Sequence, residues 1–283
     1  MNLRPPTAAD TEPCGRIIYE AFKGIADRRG FPPDFPSVES AVQLAGFLIS
    51  HPSIFGVVAE SDGPVIGSNF LDQRDPIRGV GPITVDPGSQ ERGTGRRLMQ
   101  AALDRAQGAA GIRLLQDAHN TLSMSLYASL GFDTKEPIAF IRGRPKSPPS
   151  GGVEVRPMRA EDLEACAALC KSVHRYHRTG ALQDALKFFS PLVVVRQDRI
   201  TAYASVVAFW GHAVGETEQD LKDLLLGAAA LSPEPIAFLL PTRQASLFRW
   251  CLAEGLKVVK PMTLMAIGDY QQPRGAWLPS VLY

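Results

Sequence analysis

Apolar and polar positions follow two rhythms along this chain. From Ser37 to about Ser50, Val38, Ala41, Val42, Ala45 and Leu48 recur at helical spacing behind a serine suited to cap the start. "IFGVVAE" and "VIGSNFL" read instead as strands, joined at Ser61-Asp62-Gly63, a hairpin signal. Similar reasoning predicts a short strand at Leu3–Arg4 and a helix from Asp10 to Phe22, with Thr7 and Asp10 as a capping box. "VGPITV" is the next strand, followed by a helix over about Gly93–Gln107 and the strand "IRLLQ". A helix over about Thr121–Leu130 and the extended segment "FDTKEPIAFIR" close the pattern. The order β-α-α-β-β-β-α-β-α-β-β implies a mixed α/β sheet with an antiparallel front and a crossover near a glycine-rich turn.

The rhythm breaks at "RGRPKSPPSGG", where proline and glycine dominate and little can be buried. We therefore expect a domain over 1–142, a linker over 143–152 and a second domain over 153–283. The halves look duplicated. "LRPPTAADTEPCGRI" resembles "VRPMRAEDLEACAAL" 152 positions on, pairing Arg4 with Arg156, Asp10 with Asp162 and Cys14 with Cys166. Near the ends, "SLYASLGF" faces "LFRWCLAEGL", and Gly131 meets Gly255 at an offset of 124. Similarity at both ends points to a doubled domain, not a solenoid of short repeats.

Composition narrows the classes. The 283 residues are 45% hydrophobic and 21% charged, with 30 basic against 29 acidic side chains, an ordinary globular balance. That balance argues against a nucleic-acid or polybasic membrane surface, so any basic site is local. No apolar run approaches the roughly 18–20 residues that span a bilayer, and the start carries no secretory pattern. The four cysteines have neither CxxC spacing nor histidines at zinc spacing, so we expect reduced thiols, no metal and a cytoplasmic protein.

The candidate chemistry begins at "VDPGSQERGTGRRL". A P-loop fails because Gly95 is followed by Arg96 and Arg97, and a dinucleotide fingerprint fails because its third glycine is Leu98. What fits is Gln90-Glu91-Arg92-Gly93-Thr94-Gly95, a Q-x-x-G-x-G run entering a helix. The first amides of a helix lack intrahelical partners, and glycines there let a pyrophosphate approach. A second motif, "NTLSMSLYASLGF", follows from Asn120. Together they resemble the GCN5-related N-acetyltransferases (GNAT), whose pattern N-x-x-A-x-x-L-Y-x-x-L-G-F departs here only in Ser123. The resemblance covers about Leu3 to Arg142.

It implies two parallel strands, "GPITV" and "IRLLQ", that splay so that backbone at Ile83 and Val85 bonds the pantetheine of acetyl-CoA. The pyrophosphate would sit on amides from Glu91 through Arg92, Gly93, Thr94 and Gly95 to Arg96, with Asn120 bonding the pantetheine. Tyr127 would be the general acid for the departing thiolate, a role worth about 10²–10⁴-fold. A lysine-like acceptor amine is only about 0.04% neutral at pH 7, so a base is needed. Asp117 and Asp72 are the candidates, with deprotonation through water as the alternative. Phe31 and Phe35, in "GIADRRGFPPDFPSVE", are candidates for an apolar acceptor wall.

The second half has "GETEQDLKDLLL" where the loop should be, and Cys251 where Tyr127 stands. It reads as a degenerate GNAT-like copy without CoA, packed on the active half and completing its acceptor site. His212 is a candidate to reach that site, with a satisfied structural histidine as the competing reading. The implied activity is direct acetyl transfer from acetyl-CoA to a primary amine, of a small molecule or a peptide, by a monomer or homodimer. The rivals are an acyl-CoA sensor without turnover, and an acyltransferase using another acyl group or a hydroxyl or thiol acceptor. The tandem layout also resembles the family's mycothiol-synthase branch, where the C-terminal half is the active one, so that substrate is not carried over.

Overall fold

The computed structural model describes residues 1–89 and 93–282. The first half contains β1 (Asn2–Arg4), α1 (Thr11–Arg29), α2 (Val38–Ser50), β2 (Ile54–Glu60), β3 (Val65–Asp72), β4 (Ile77–Val80) and β5 (Thr84–Val85). It continues through α3 (Thr94–Arg105), β6 (Gly111–Asp117), α4 (Thr121–Ser129) and β7 (Asp133–Gly143). The second half contains β8 (Glu154–Pro157), α5 (Leu163–His174), α6 (Thr179–Phe188), β9 (Leu192–Arg196), β10 (Arg199–Ala204) and β11 (Ala213–Gly215). It ends with α7 (Glu218–Leu231), β12 (Ile236–Pro241), α8 (Ala245–Ala253), β13 (Lys257–Gly268) and β14 (Ala276–Leu278).

The duplicated opening is one physical device used twice. Arg4 donates to both oxygens of Asp10, and Arg156 to both oxygens of Asp162. The same carboxylates accept from the backbone N–H of Thr7 and of Arg159, at 2.6 and 2.7 Å. Each thereby starts its helix and ties it to the preceding strand. Cys14 and Cys166 are both fully buried.

Among the described residues the strands form two sheets, and these do not divide between the halves. The larger runs β1-β2-β3-β4-β6-β13-β7-β12, with β5 beside β3, and the smaller runs β14-β11-β10-β9-β8. Thus β12 and β13 of the second half belong to the sheet of the first. The reason is the duplication. β7 and β13 stand at the offset of 124, and they pair antiparallel with each other, Ile138 opposite Met262. Met262 also faces Asp117 on β6, while Ile138 faces Pro241 on β12, so the four strands are related by a two-fold axis through the Ile138–Met262 pair. The 143–152 linker separates the halves along the chain but not in the sheet.

The predicted single strand "VGPITV" is also broken. β4 pairs with the end of β3 and β5 with its start, and Gly81-Pro82-Ile83 loops between them. Pro82 has no N–H to give to a ladder, and Gly81 takes φ +138°, a conformation that favours glycine.

Candidate active site

The break in the strand creates the candidate site. Ile77–Gly79 pair in parallel with Gly111–Arg113, and then the two strands part. Thr84 and Val85 stay with β3, while β6 pairs with β13 along its whole length and Leu114–Asp117 keep that partner alone. A gap opens between the edge at Ile83–Val85 and the edge at Leu115–Asp117. The opening of α3 stands beyond that gap. Gly93 caps it with φ +76°, and the first intrahelical bond runs from the Arg97 N–H to the Gly93 carbonyl. The amides of Thr94, Gly95 and Arg96 lie ahead of that bond, where the helix dipole leaves positive potential. Arg96 donates to the Ser129 hydroxyl at 2.7 Å. Gln90, Glu91 and Arg92 lie outside the described residues.

Asn120 caps α4, its Oδ1 accepting from the Ser123 N–H at 3.3 Å. Two turns on from Asn120, Tyr127 is buried among Leu71, Val80, Met99, Leu114 and Phe132. Burial, with the charge of Asp117 adding to it, pushes its phenol up beyond the ordinary range, so it holds its proton. Beside it on β6, the Gln116 Oε1 accepts from Ser123, while its buried Nε2 has no partner among the described residues.

The other side of the gap holds charge. Asp117 is buried, and its carboxylate lies 2.6 Å from the Nζ of Lys260, which β13 of the second half delivers. The same ammonium donates to Asp34 at 2.5 Å. Burial, helped by the neighbouring Asp117, raises the Asp34 carboxyl despite Lys260. His119 lies 3.8 Å from Asp117, and its ring stacks on Phe31 at 4.4 Å. The Phe209 ring of the second half sits 5.7 Å from the Lys260 ammonium. Phe35 packs edge-on against Phe22 in the neighbouring apolar cluster.

Two candidates lie elsewhere. Asp72 sits level with Gly79, before the strands part, and Arg74 takes its carboxylate at 2.6 Å. Arg74 also reaches Asp184 of the second half at 3.1 Å, so Asp72 belongs to the joint between the halves. His212 lies inside the second half, with its Nε2 3.2 Å from the Tyr203 hydroxyl and burial lowering its affinity for a proton. The second half brings Lys260 and Phe209 to the gap. No local motif marks either, because both arrive through strand exchange and a distant loop.

The second half has a counterpart of the gap, and it is filled. β11 pairs with β10 as β5 pairs with β3, and its other edge carries β14, with Val214 opposite Trp277. Gln244, the residue before α8, donates to the Trp277 carbonyl at 2.6 Å and accepts from its N–H at 3.0 Å. The opening of α7 is acidic and self-satisfied. Thr217 caps it, Asp220 accepts from Thr217, Thr201 and Arg196, and Arg196 also pairs with Asp223. The cysteines are buried thiols, and no group of metal-ligating side chains occurs among the described residues. Nor is any described helix long and apolar enough to cross a membrane.

Comparison with known proteins agrees with this frame. The family profile described as "Acetyltransferase (GNAT) domain" matches residues 52–134. A mycothiol acetyltransferase of Beutenbergia cavernae is 36% identical over 85 residues, covering 29% of this chain and 29% of that protein. One from Nocardia farcinica is 38% identical over 63 residues, 22% of this chain and 21% of that protein. The match spans less than a third of the length of either. Among solved structures, a candidate acetyltransferase from Pyrococcus horikoshii superposes with a TM-score of 0.77 at 16% identity, over 97% of this chain and 93% of that one. A tandem GNAT protein from the clavulanic acid biosynthesis pathway does so with a TM-score of 0.60 at 14% identity, over 95% and 99%. At such identities these two speak for the fold alone.

Proposed function

The chain belongs to the GNAT acetyltransferases and carries their fold in tandem, and from that premise we propose that its first half transfers an acetyl group from acetyl-CoA to a primary amine. The observation that carries this reading is the gap between the Ile83–Val85 and Leu115–Asp117 edges. It has helix amides at one end and a protonated phenol beside it.

The residues present suit acetyl-CoA. The glycine-opened start of α3 offers amides for a diphosphate. The buried Gln116 Nε2 has no partner among the described residues and is a donor in want of an acceptor such as a pantetheine carbonyl. Bound there, acetyl-CoA supplies the activated acyl group. Asp117 and Tyr127 divide the proton work. Asp117 takes one proton from the acceptor's ammonium. Tyr127 gives its proton to the departing sulfur as the N–C bond forms and the C–S bond breaks, and it regains one from the nitrogen. One proton in total leaves for solvent. Phe31 with His119, and Phe209, keep water from the carboxylate.

The test is calorimetric titration with coenzyme A, followed by thiol release across a panel of primary amines with Tyr127→Phe as control. We expect binding, turnover and a fall in kcat of about 10²-fold for the variant. A fall below about threefold refutes the general-acid role. Binding without turnover on any amine favours a sensor of acyl-CoA.

A further inference from the structure

We propose that Ala276–Leu282 is a ligand the chain carries for itself. Its β14 end occupies, in the second half, the slot that a pantetheine arm takes in the first, and its Ser280–Leu282 end is thereby held as a wall of the first half's acceptor site. The second clause rests on the acetyltransfer reading above, and the first rests only on its coenzyme A site.

Position is the first argument. β10–β11 and β3–β5 are equivalent ladders, so the edge of β11 that receives β14 corresponds to the edge at Ile83–Val85. Chemistry is the second. A strand laid on β11 turns alternate residues away from it, and Trp277 is such a residue. Its outward N–H and C=O are both met by one carboxamide, that of Gln244. Gln244 stands 124 positions after Asn120, each being the residue that opens the helix after the equivalent strand. One half thus spends this position on a peptide group of the chain. The other keeps it beside an open gap.

Fit is the third argument. Where the segment enters, Gly275 comes so close that a Cβ there would lie 2.6 Å from the Gly215 carbonyl oxygen. The Trp277 side chain is buried with Ile138, Leu239, Met262 and Leu264, and the His174 ring meets it edge-on at 5.3 Å. The segment then crosses to the first half. The Ser280 hydroxyl accepts from Arg178 at 3.2 Å, and the Val281 N–H donates to the Phe209 carbonyl at 3.2 Å. Leu282 joins the apolar cluster of Ile18 and Phe70, bordered by Phe22 and Phe35. Its carbonyl oxygen lies where a Cβ at Gly79 would be, just short of the point where β4 and β6 part. Phe209 is therefore tied to the segment on one side and to Lys260 on the other.

Hydrogen exchange on the full chain, with and without coenzyme A, tests both ends. We expect one equivalent of coenzyme A per chain, and a Trp277 amide exchanging at least about 100-fold more slowly than that of Gly151, unchanged by coenzyme A. Gln244→Leu should speed that amide by about tenfold or more and leave the Kd for coenzyme A unaltered. Leu282→Ala should raise KM for the amine several-fold at constant Kd for coenzyme A. The proposal is overturned by a second bound equivalent that protects Trp277, or by a wild-type Trp277 amide that exchanges at loop rates. A Leu282→Ala effect on coenzyme A binding alone also overturns the wall. If no amine is turned over, the acetyltransfer reading and the wall fall together, while stoichiometry and exchange still decide what fills the second slot.

Discussion

The two slots stand at equivalent places around one two-fold axis, and each receives a charged side chain from the opposite half. Lys260 of β13 enters the first, facing Asp117, with His119 nearby. Glu136 of β7, 124 positions earlier, enters the second, facing Arg243 and the Tyr270 hydroxyl. The matching positions differ in charge, with Lys260 against Glu136, Asp117 against Pro241 and His119 against Arg243. Duplication kept the sheet that frames both slots and replaced the chemistry inside one of them. A slot closed by its own chain needs only a stable lining. An open one needs groups that can still exchange protons with a visitor.

The largest expected effect separates these two linings. Lys260→Met leaves Asp34 and Asp117 buried together without a cation, which costs about 3–5 kcal/mol. Glu136→Gln keeps an acceptor for Tyr270 and gives up an ion pair with the exposed Arg243, so it costs about 1 kcal/mol. Urea unfolding of both variants measures the ratio. Adding Asp34→Asn to Lys260→Met should recover part of the loss. Equal costs would mean that both slots are merely structural.

Acid should strike the second half next. His174 is buried near Arg178 and Arg113, and burial first, then those cations, lowers its pKa to about 3. The unfolded chain, with an ordinary value near 6.5, binds that proton more readily. This contribution to stability is complete above pH 6.5 and is lost as pH falls towards 3. Between pH 7 and 5 His174 alone removes about 2 kcal/mol, and His212 acts in the same direction. Because His174 supports Trp277, exchange at β14 should quicken over the same interval. Unfolding free energies at pH 7, 6 and 5 check the slope, which His174→Gln should flatten.

How much of this was legible depended on whether the signal was local. Helix caps at Ser37 and Asn120, the hairpin at Ser61–Gly63 and the paired Arg4–Asp10 and Arg156–Asp162 openings are short-range devices, and the sequence displays them directly. The glycines ahead of α3 and the Asn120–Tyr127 stretch are also local, and they carried the family resemblance. The exchange of β12 and β13 was not legible, since "KVVKPMTLMAIG" has the same alternation whichever neighbour it pairs with. Lys260 and Asp34 were missed for that reason, being 226 positions apart and brought together by pairing alone. Asp72 and His212 were candidates because of where strands end, and neither periodicity nor spacing reveals that Arg74 and Tyr203 engage them.

The smallest predicted effects compare the two helix openings directly. At α3, Gly93 holds φ +76°, which costs a residue with a Cβ roughly 1–2 kcal/mol, so Gly93→Ala should lower stability by about that much. Gly95 is different. A Cβ there would meet Leu126 at 3.5 Å, an ordinary contact, so Gly95→Ala should leave the melting temperature unchanged. If its bare backbone serves a diphosphate, the same change weakens coenzyme A binding by about tenfold. At α7 the cap is Thr217, and Thr217→Ala should cost about 1 kcal/mol while coenzyme A affinity stays constant. Melting curves and titrations of the three variants therefore form a cross. Stability moves without affinity at α7, and affinity without stability at Gly95. A Gly95→Ala protein that binds coenzyme A as well as wild type would place the diphosphate elsewhere and remove the functional difference between the two openings.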